Sequence, residues 1–111
     1  MDERTRRVGH NEGLFRQINE QIEAFDRGIA QIADQTLHIV CECGDLRCQD
    51  RIVVPLSVYE RVRAESVLFL VVPGHVFPHA EDVVEKSGNY FVVRKLDGAP
   101  ARLAEVTDPR A

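Results

Sequence analysis

The sequence predicts an α+β fold in which a long N-terminal amphipathic helix packs on a small, mostly antiparallel sheet, beside a second, short helix. Three observations carry this. Apolar residues recur at helical spacing at Phe15, Ile18, Ile22, Phe25, Ile29 and Ile32, short β-branched runs broken by Gly and Pro fill the second half, and all three cysteines fall within residues 41–48. Thiols clustered in this way add one zinc site to the expected fold.

At 111 residues, with 44% apolar and 29% charged side chains, the chain has room for one domain and one core. A chain of this size buries only about two-thirds of its unfolded surface, so a structural metal supplements a modest core. The expected division is a flexible N-terminal arm over 1–10, a single zinc-stabilised α+β domain over 11–96, and a poorly ordered tail over 97–111, where Gly98, Pro100 and Pro109 interrupt regular structure. Arg4, Arg6 and Arg7 make the arm basic, and a solvated terminus is the simplest reading of them.

From Asn11 to about Ala33 the apolar positions are spaced three, four, three, four, three, with mostly polar residues between them. This is a heptad seam on a helix of roughly 23 residues, about 34 Å long. Asn11 is an acceptable N-cap, while Gly13 and Gly28 each weaken the helix by up to about 1 kcal/mol relative to Ala. The seam can lie on the chain's own sheet, or it can pair with a second copy or an unknown protein partner. Fewer than three heptads and sparse flanking charges leave both open.

Thr36 to Cys43 reads as a strand running into the cysteines, with Leu37, Ile39, Cys41 and Cys43 on one face and His38, Val40 and Glu42 on the other. Ile52–Val54 is a short strand. Ser57-Val58-Tyr59-Glu60 has the spacing of a capping box and opens a short helix to about Ala64, with Val58 and Val62 inward and Glu60, Arg61 and Arg63 solvated. Leu68 to Val72 is apolar throughout, the mark of a strand buried on both faces and placed centrally, and it ends at Pro73-Gly74-His75. Residues 82–86 and 90–96 form a hairpin around Ser87-Gly88-Asn89, and Arg102–Val106 is a candidate edge strand.

Cys41, Cys43 and Cys48, spaced C-x-C-x4-C around a Gly-Asp turn, offer three soft ligands and leave one position of a tetrahedral zinc site to be filled from elsewhere. His75 is the first choice for it. The Pro-Gly turn after a buried strand can bring this imidazole to the mouth of a neighbouring strand. His79 is the runner-up, and Asp45 is an oxygen alternative. Strand parity turns His38 away from the thiols, and nothing places His10 near them.

The run Cys41-Glu42-Cys43-Gly44-Asp45-Leu46-Arg47-Cys48 resembles the zinc motif that follows SET-type lysine methyltransferase domains, where three cysteines share zinc with a ligand from another part of the chain. That resemblance implies a metal and no methyltransferase activity. More broadly, Asn11-Glu12-Gly13-Leu14-Phe15-Arg16 with Asn19-Glu20, the cysteine run, Tyr59 to Arg63, and Phe69 to His75 resemble a family of small, uncharacterised bacterial zinc-binding proteins. This second resemblance covers most of residues 8–95 and implies a shared fold and metal site.

Net charge −4 and a pI near 5.5 argue against a nucleic-acid-coating surface. The longest apolar run, Val67–Val72, is far shorter than the roughly 18 residues of a membrane span, and Asp2 and Glu3 stand where a secretory signal is basic or apolar. Both point to a cytoplasmic protein. The chain lacks the H-E-x-x-H and H-x-E with P-C-x-x-C patterns of zinc hydrolases and deaminases, so the expectation leans away from an enzyme. A non-catalytic zinc-binding interaction or regulatory module is the leading reading. The alternatives are a zinc-thiolate redox sensor and a zinc-dependent hydrolase with an open metal position.

Overall fold

Asp2, not Asn11, starts the first helix. In the computed structural model, which describes residues 2–29 and 36–110 and the side chains of the first helix as far as Phe25, Asp2 Oδ1 accepts the amide of Thr5 at 2.7 Å. The helix α1 then runs over Glu3–Ile29, 27 residues or about 40 Å. The arm expected over 1–10 is therefore the first two turns of α1 from Glu3 onward. An Asp cap followed by Glu3, Arg4 and Thr5 suffices to begin it.

The strands β1 (Thr36–Val40) and β2 (Arg51–Pro55) form one antiparallel pair, with Leu37 opposite Val54 and Ile39 opposite Ile52. Alternation is strict: Leu37 and Ile39 are fully buried, while Thr36 and His38 are exposed. The cysteine segment is the loop of this hairpin. Helix α2 follows directly over Leu56–Arg63. It starts from Pro55 in an extended conformation with no side-chain cap, so the Ser57–Glu60 box is not formed. Glu60 is bound instead by Arg110, at 2.8 and 3.3 Å. The buried side chains of α2 are Tyr59, Val62 and Arg63, which corrects the solvated placement expected for Arg63.

A second sheet joins β3 (Leu68–Val71), β4 (Glu81–Lys86) and β5 (Phe91–Lys95), all antiparallel, in the order β3-β5-β4. The hairpin expected over 82–96 is β4 and β5. β3 is buried at every position yet lies at the edge, not the centre. Its outer edge is sealed by the cysteine loop: Glu42 N donates to Leu70 O at 2.9 Å, Leu70 N donates to Glu42 Oε1 at 3.0 Å, and Val72 N donates to Cys41 Sγ at 3.2 Å. The cysteine loop thus links the two sheets.

The C-terminal tail is structured too. Helix α3 spans Ala99–Val106, with Pro100 in its first turn, where a missing amide costs nothing. The candidate edge strand 102–106 is this helix. α3 sits against α1 at Gly9 and Gly13: a Cβ on Gly9 would clash with Leu103, and one on Gly13 would lie 2.9 Å from both Cβ and Oγ1 of Thr107. The two glycines, a turn apart on one face, let the helices approach closely.

The face that α1 buries is polar. Glu12, Arg16 and Asn19 are fully buried and Glu23 nearly so, whereas Leu14 and Phe25 are 50% and 68% exposed. Phe15, Ile18 and Ile22 are half-buried, and the side chains of Ile29 and Ile32 lie outside the described residues. The apolar core consists instead of Leu37, Ile39, Ile52, Val54, Tyr59, Val62, β3, Val92 and Val93. Among the described residues no helix is long and apolar enough to cross a membrane.

Candidate metal centre

The hairpin loop between β1 and β2 and the turn after β3 bring Cys41, Cys43, Cys48 and His75 together, with one ligand atom of each lying within 4.8 Å of all the others. His75 Nδ1 is 3.6 Å from both Cys41 Sγ and Cys48 Sγ. A sulfur about 2.3 Å and a nitrogen about 2.0 Å from one ion at the tetrahedral angle stand roughly 3.6 Å apart, so these spacings are those of an ion's ligand shell. The four residues could hold a metal ion.

Backbone geometry sets up each ligand. Gly44 has φ +80°, and a Cβ there would meet Val8 O at 2.7 Å, so the Cys43-Gly44-Asp45 turn closes against α1 only with glycine. The amides of Val72, Asp45 and Asp50 face the sulfurs of Cys41, Cys43 and Cys48 respectively. Such N–H donors stabilise thiolate and spread its charge. The neighbouring Cys41, the Asp45 amide and His75 hold the Cys43 thiol down against its burial. Cys41 is pushed up by the neighbouring Cys43 and by burial. Burial pushes Cys48 up. His75 turns Nε2 toward Asp50 Oδ2 at 3.6 Å, the carboxylate–imidazole arrangement that orients a metal-binding histidine.

The remaining candidates lie elsewhere. His79 is exposed and packs edge-on against Phe77, with ring centroids 5.5 Å apart. His38 and His10 are exposed, on β1 and α1. Asp45 is committed to its own turn, accepting Arg47 N at 2.9 Å and Arg47 Nε at 3.3 Å. A cleft of about 580 Å³ beside the cluster is lined by Arg4, Arg7 and Arg47 among others, with Arg4 5.6 Å from the Phe77 ring centre. Three thiolates around a divalent cation would carry one net negative charge, and the guanidiniums of Arg4 and Arg7 border the cleft beside them, while that of Arg47 pairs with Asp45.

Glu42, placed by strand parity on the face opposite the thiols, is fully buried between Cys41 and Cys43. Its Oε2 accepts Asn19 Nδ2 at 2.6 Å and Arg63 NH1 at 2.8 Å; its Oε1 accepts Arg63 NH2 at 3.1 Å and Leu70 N at 3.0 Å. Asn19 also exchanges both amide bonds with Val40, at 2.8 and 2.9 Å, in the manner of a neighbouring strand. Arg16 caps the assembly from the other side, donating to Ala104 O at 2.6 Å and to Ser66 O, and lying 4.4 Å from the Phe69 ring centre. The loop is thus fixed from within by hydrogen-bonded charges. One signal in the sequence points to them: Glu12, Arg16, Asn19 and Glu23 fall at helical spacing, a polar stripe parallel to the apolar one.

Fold and site together define an α+β domain with a Cys3His cluster at the junction of its two sheets. No protein-family model, curated protein or solved structure matches the chain.

Proposed function

We propose that the chain is a non-catalytic zinc-binding protein in which Cys41, Cys43, Cys48 and His75 close a structural zinc site, and that it acts as a protein-interaction or regulatory module. The observation that carries this is the completeness of the ligand set. A tetrahedral zinc filled by three thiolates and one imidazole has no position left for an activated water. Mixed sulfur and nitrogen donors in that number favour zinc over the harder ions. Zinc here would tie the β1–β2 loop to the exit of β3, contributing on the order of 10 kcal/mol to folding. Unpaired thiols suit the reducing cytoplasm. The surface offered to a partner is the outward apolar stripe of α1.

Metal analysis of the purified protein tests the reading. One zinc per chain is expected, lost or weakened in His75→Ala and kept in His79→Ala. Cobalt in its place should give thiolate charge-transfer bands and tetrahedral d–d bands. Full metal retention in His75→Ala with a coordinated water would replace this reading with the open-site hydrolase.

The half-buried positions of Cys48 and His75 favour a second reading, a zinc-thiolate redox sensor. Peroxide would take two electrons from a pair of thiolates and two protons from solvent, forming a disulfide and two waters and releasing the ion. Zinc release measured with a chelating dye separates the two, since a purely structural site gives up its metal slowly.

A further inference from the structure

The cleft beside the Cys3His cluster has a charge at odds with the rest of the chain. The protein carries a net charge of −4, yet Arg4, Arg7 and Arg47 line this cleft against Asp45 alone. Asp45 pairs with Arg47, and Arg6, outside the cleft, pairs with Glu3. Among the described residues no carboxylate pairs with Arg4 or Arg7. Their placement is locally unfavourable. Arg4 lies in the first turn of α1, at the positive end of the helix dipole, and Arg7 stands three residues on, where like charges repel. A metal-loaded cluster would offset one of the two charges and leave the other facing the cleft. Local rules are broken in this way at functional positions, and an anion between the two guanidiniums would relieve the conflict.

The cleft is also held open by its own walls. Asn11 Nδ2 donates to Gly44 O at 3.0 Å, tying α1 to the cysteine loop, and Phe77 N donates to Glu81 Oε2 at 3.0 Å, fixing the segment after β3. The volume of about 580 Å³ falls within the range of small-molecule sites, about 300–1,000 Å³, and exceeds what an inorganic ion fills. The apolar lining is Val8, Leu46, Val76 and Phe77, and Leu46 is 67% exposed, a large side chain with no core to cover.

We infer that this cleft binds a small organic phosphate monoester, with the phosphate between Arg4 and Arg7 and the organic part against Leu46, Val76 and Phe77. The inference goes beyond the metal reading and concerns a site next to the metal. Acceptor count favours phosphate over carboxylate. One guanidinium fork satisfies the two oxygens of a carboxylate, whereas a phosphate monoester brings three oxygens and about two negative charges to two forks. Cleft size favours a small molecule over an extended chain.

The test is titration calorimetry of zinc-loaded protein at low ionic strength with phenyl phosphate as the probe, and with bound zinc measured in the same samples. One phenyl phosphate per chain is expected, bound about 10-fold or more tightly than inorganic phosphate, which lacks the apolar part, or benzoate, which lacks the third oxygen. Arg4→Gln and Arg7→Gln should each weaken it about 10-fold or more, the loss of a charge-assisted bond, with zinc content and secondary structure unchanged. Arg6→Gln removes the same charge from the same helix outside the cleft and should change affinity by less than about twofold, the effect of one screened surface charge. Zinc-loaded protein that binds no phenyl phosphate overturns the inference and leaves the metal reading standing. A loss in Arg6→Gln equal to the losses in Arg4→Gln and Arg7→Gln also overturns it, because net charge would then be the cause. Benzoate or inorganic phosphate bound as tightly as phenyl phosphate overturns the monoester assignment, and a phosphoserine peptide bound more tightly than all three replaces the small molecule with a protein partner. Arginine-dependent binding of phenyl phosphate by protein that holds no zinc upholds the inference and overturns the metal reading.

Discussion

Glu42 and Arg63 form a two-pronged ion pair, at 2.8 and 3.1 Å, with both side chains sealed from solvent and the carboxylate held between Cys41 and Cys43. Every acceptor site of Glu42 is used, by Arg63, Asn19 and the Leu70 amide. The pair therefore couples the position of α2 to the shape of the cysteine loop. A buried pair of this kind is costly to break from one side, because the surviving charge has no water to turn to.

Arg63→Ala is expected to destabilise the protein by about 3–5 kcal/mol for that reason. It should also weaken metal binding, by about 10- to 100-fold, since the loop loses the support that orients its thiols. Urea denaturation of metal-loaded protein and competition against a zinc chelator measure the two effects. Unchanged metal affinity in a destabilised protein would separate the ion pair from the metal centre.

Asp50→Ala isolates the support of His75. Asp50 is an exposed residue whose carboxylate lies 3.6 Å from His75 Nε2, so its removal should spare the fold while lowering metal affinity about 10-fold. Melting with the metal chelated should match the wild-type protein. A change there, with affinity unaltered, would assign Asp50 to the hairpin alone.

Gly13→Ala reverses the usual helix rule. Alanine in an isolated helix is favoured by about 1 kcal/mol, yet here its methyl would sit 2.9 Å from Thr107 and push α3 from α1. The net expectation is a loss of about 1–3 kcal/mol, as for other overpacked interfaces. A stability equal to or above the wild type in denaturant titration would show that α3 yields freely.

Glu12 gives a dependence on pH of defined sign. Burial, with Glu81 adding to it and Lys95 opposing, pushes its carboxyl well above the ordinary 4.5. Between the unfolded and the folded values the native state holds the extra proton, so this group's contribution to stability falls as pH rises through that window. Glu12→Gln removes the slope and keeps the shape, while Glu81 still pairs with Lys95 at 2.7 Å. The stability difference, variant minus wild type, should therefore grow as pH rises above about 4.5 and level off only once the pH has passed the raised value of the folded carboxyl. A difference independent of pH would mean that Glu12 is fully ionised in the fold.

Much of the Cys3His cluster is legible in the sequence, because thiols spaced around a turn and a histidine after a Pro-Gly break are local patterns. Parity along β1 also read correctly, with His38 outward and Leu37 and Ile39 inward. Glu42, Arg63 and Arg16 were not legible as buried residues. Their burial depends on partners 21 and 88 residues away, and only the closed fold supplies the bonds that offset desolvation. The polar seam of α1 was hidden by the apolar one beside it. Composition favoured the stripe that looks like a core, although the chain had a second stripe at the same spacing with better partners inside. α3 is masked in the sequence because Pro100 and Gly98 have the look of a break, whereas proline in a first turn begins a helix.

The bonds from Arg16 to Ala104 and from Arg110 to Glu20 join residues 88 and 90 positions apart, the two ends of the chain. Synthesis delivers α1 before α3. Asn19 finds Val40 and Glu42 early, but until Ala104 is made Arg16 has water in that partner's place, and this part of the inner face of α1 dehydrates only once α3 has emerged. Contacts that close so long a loop set a slow step. Docking of α1 should accordingly come late in folding, after the sheets have formed, and loss of the last dozen residues should release it.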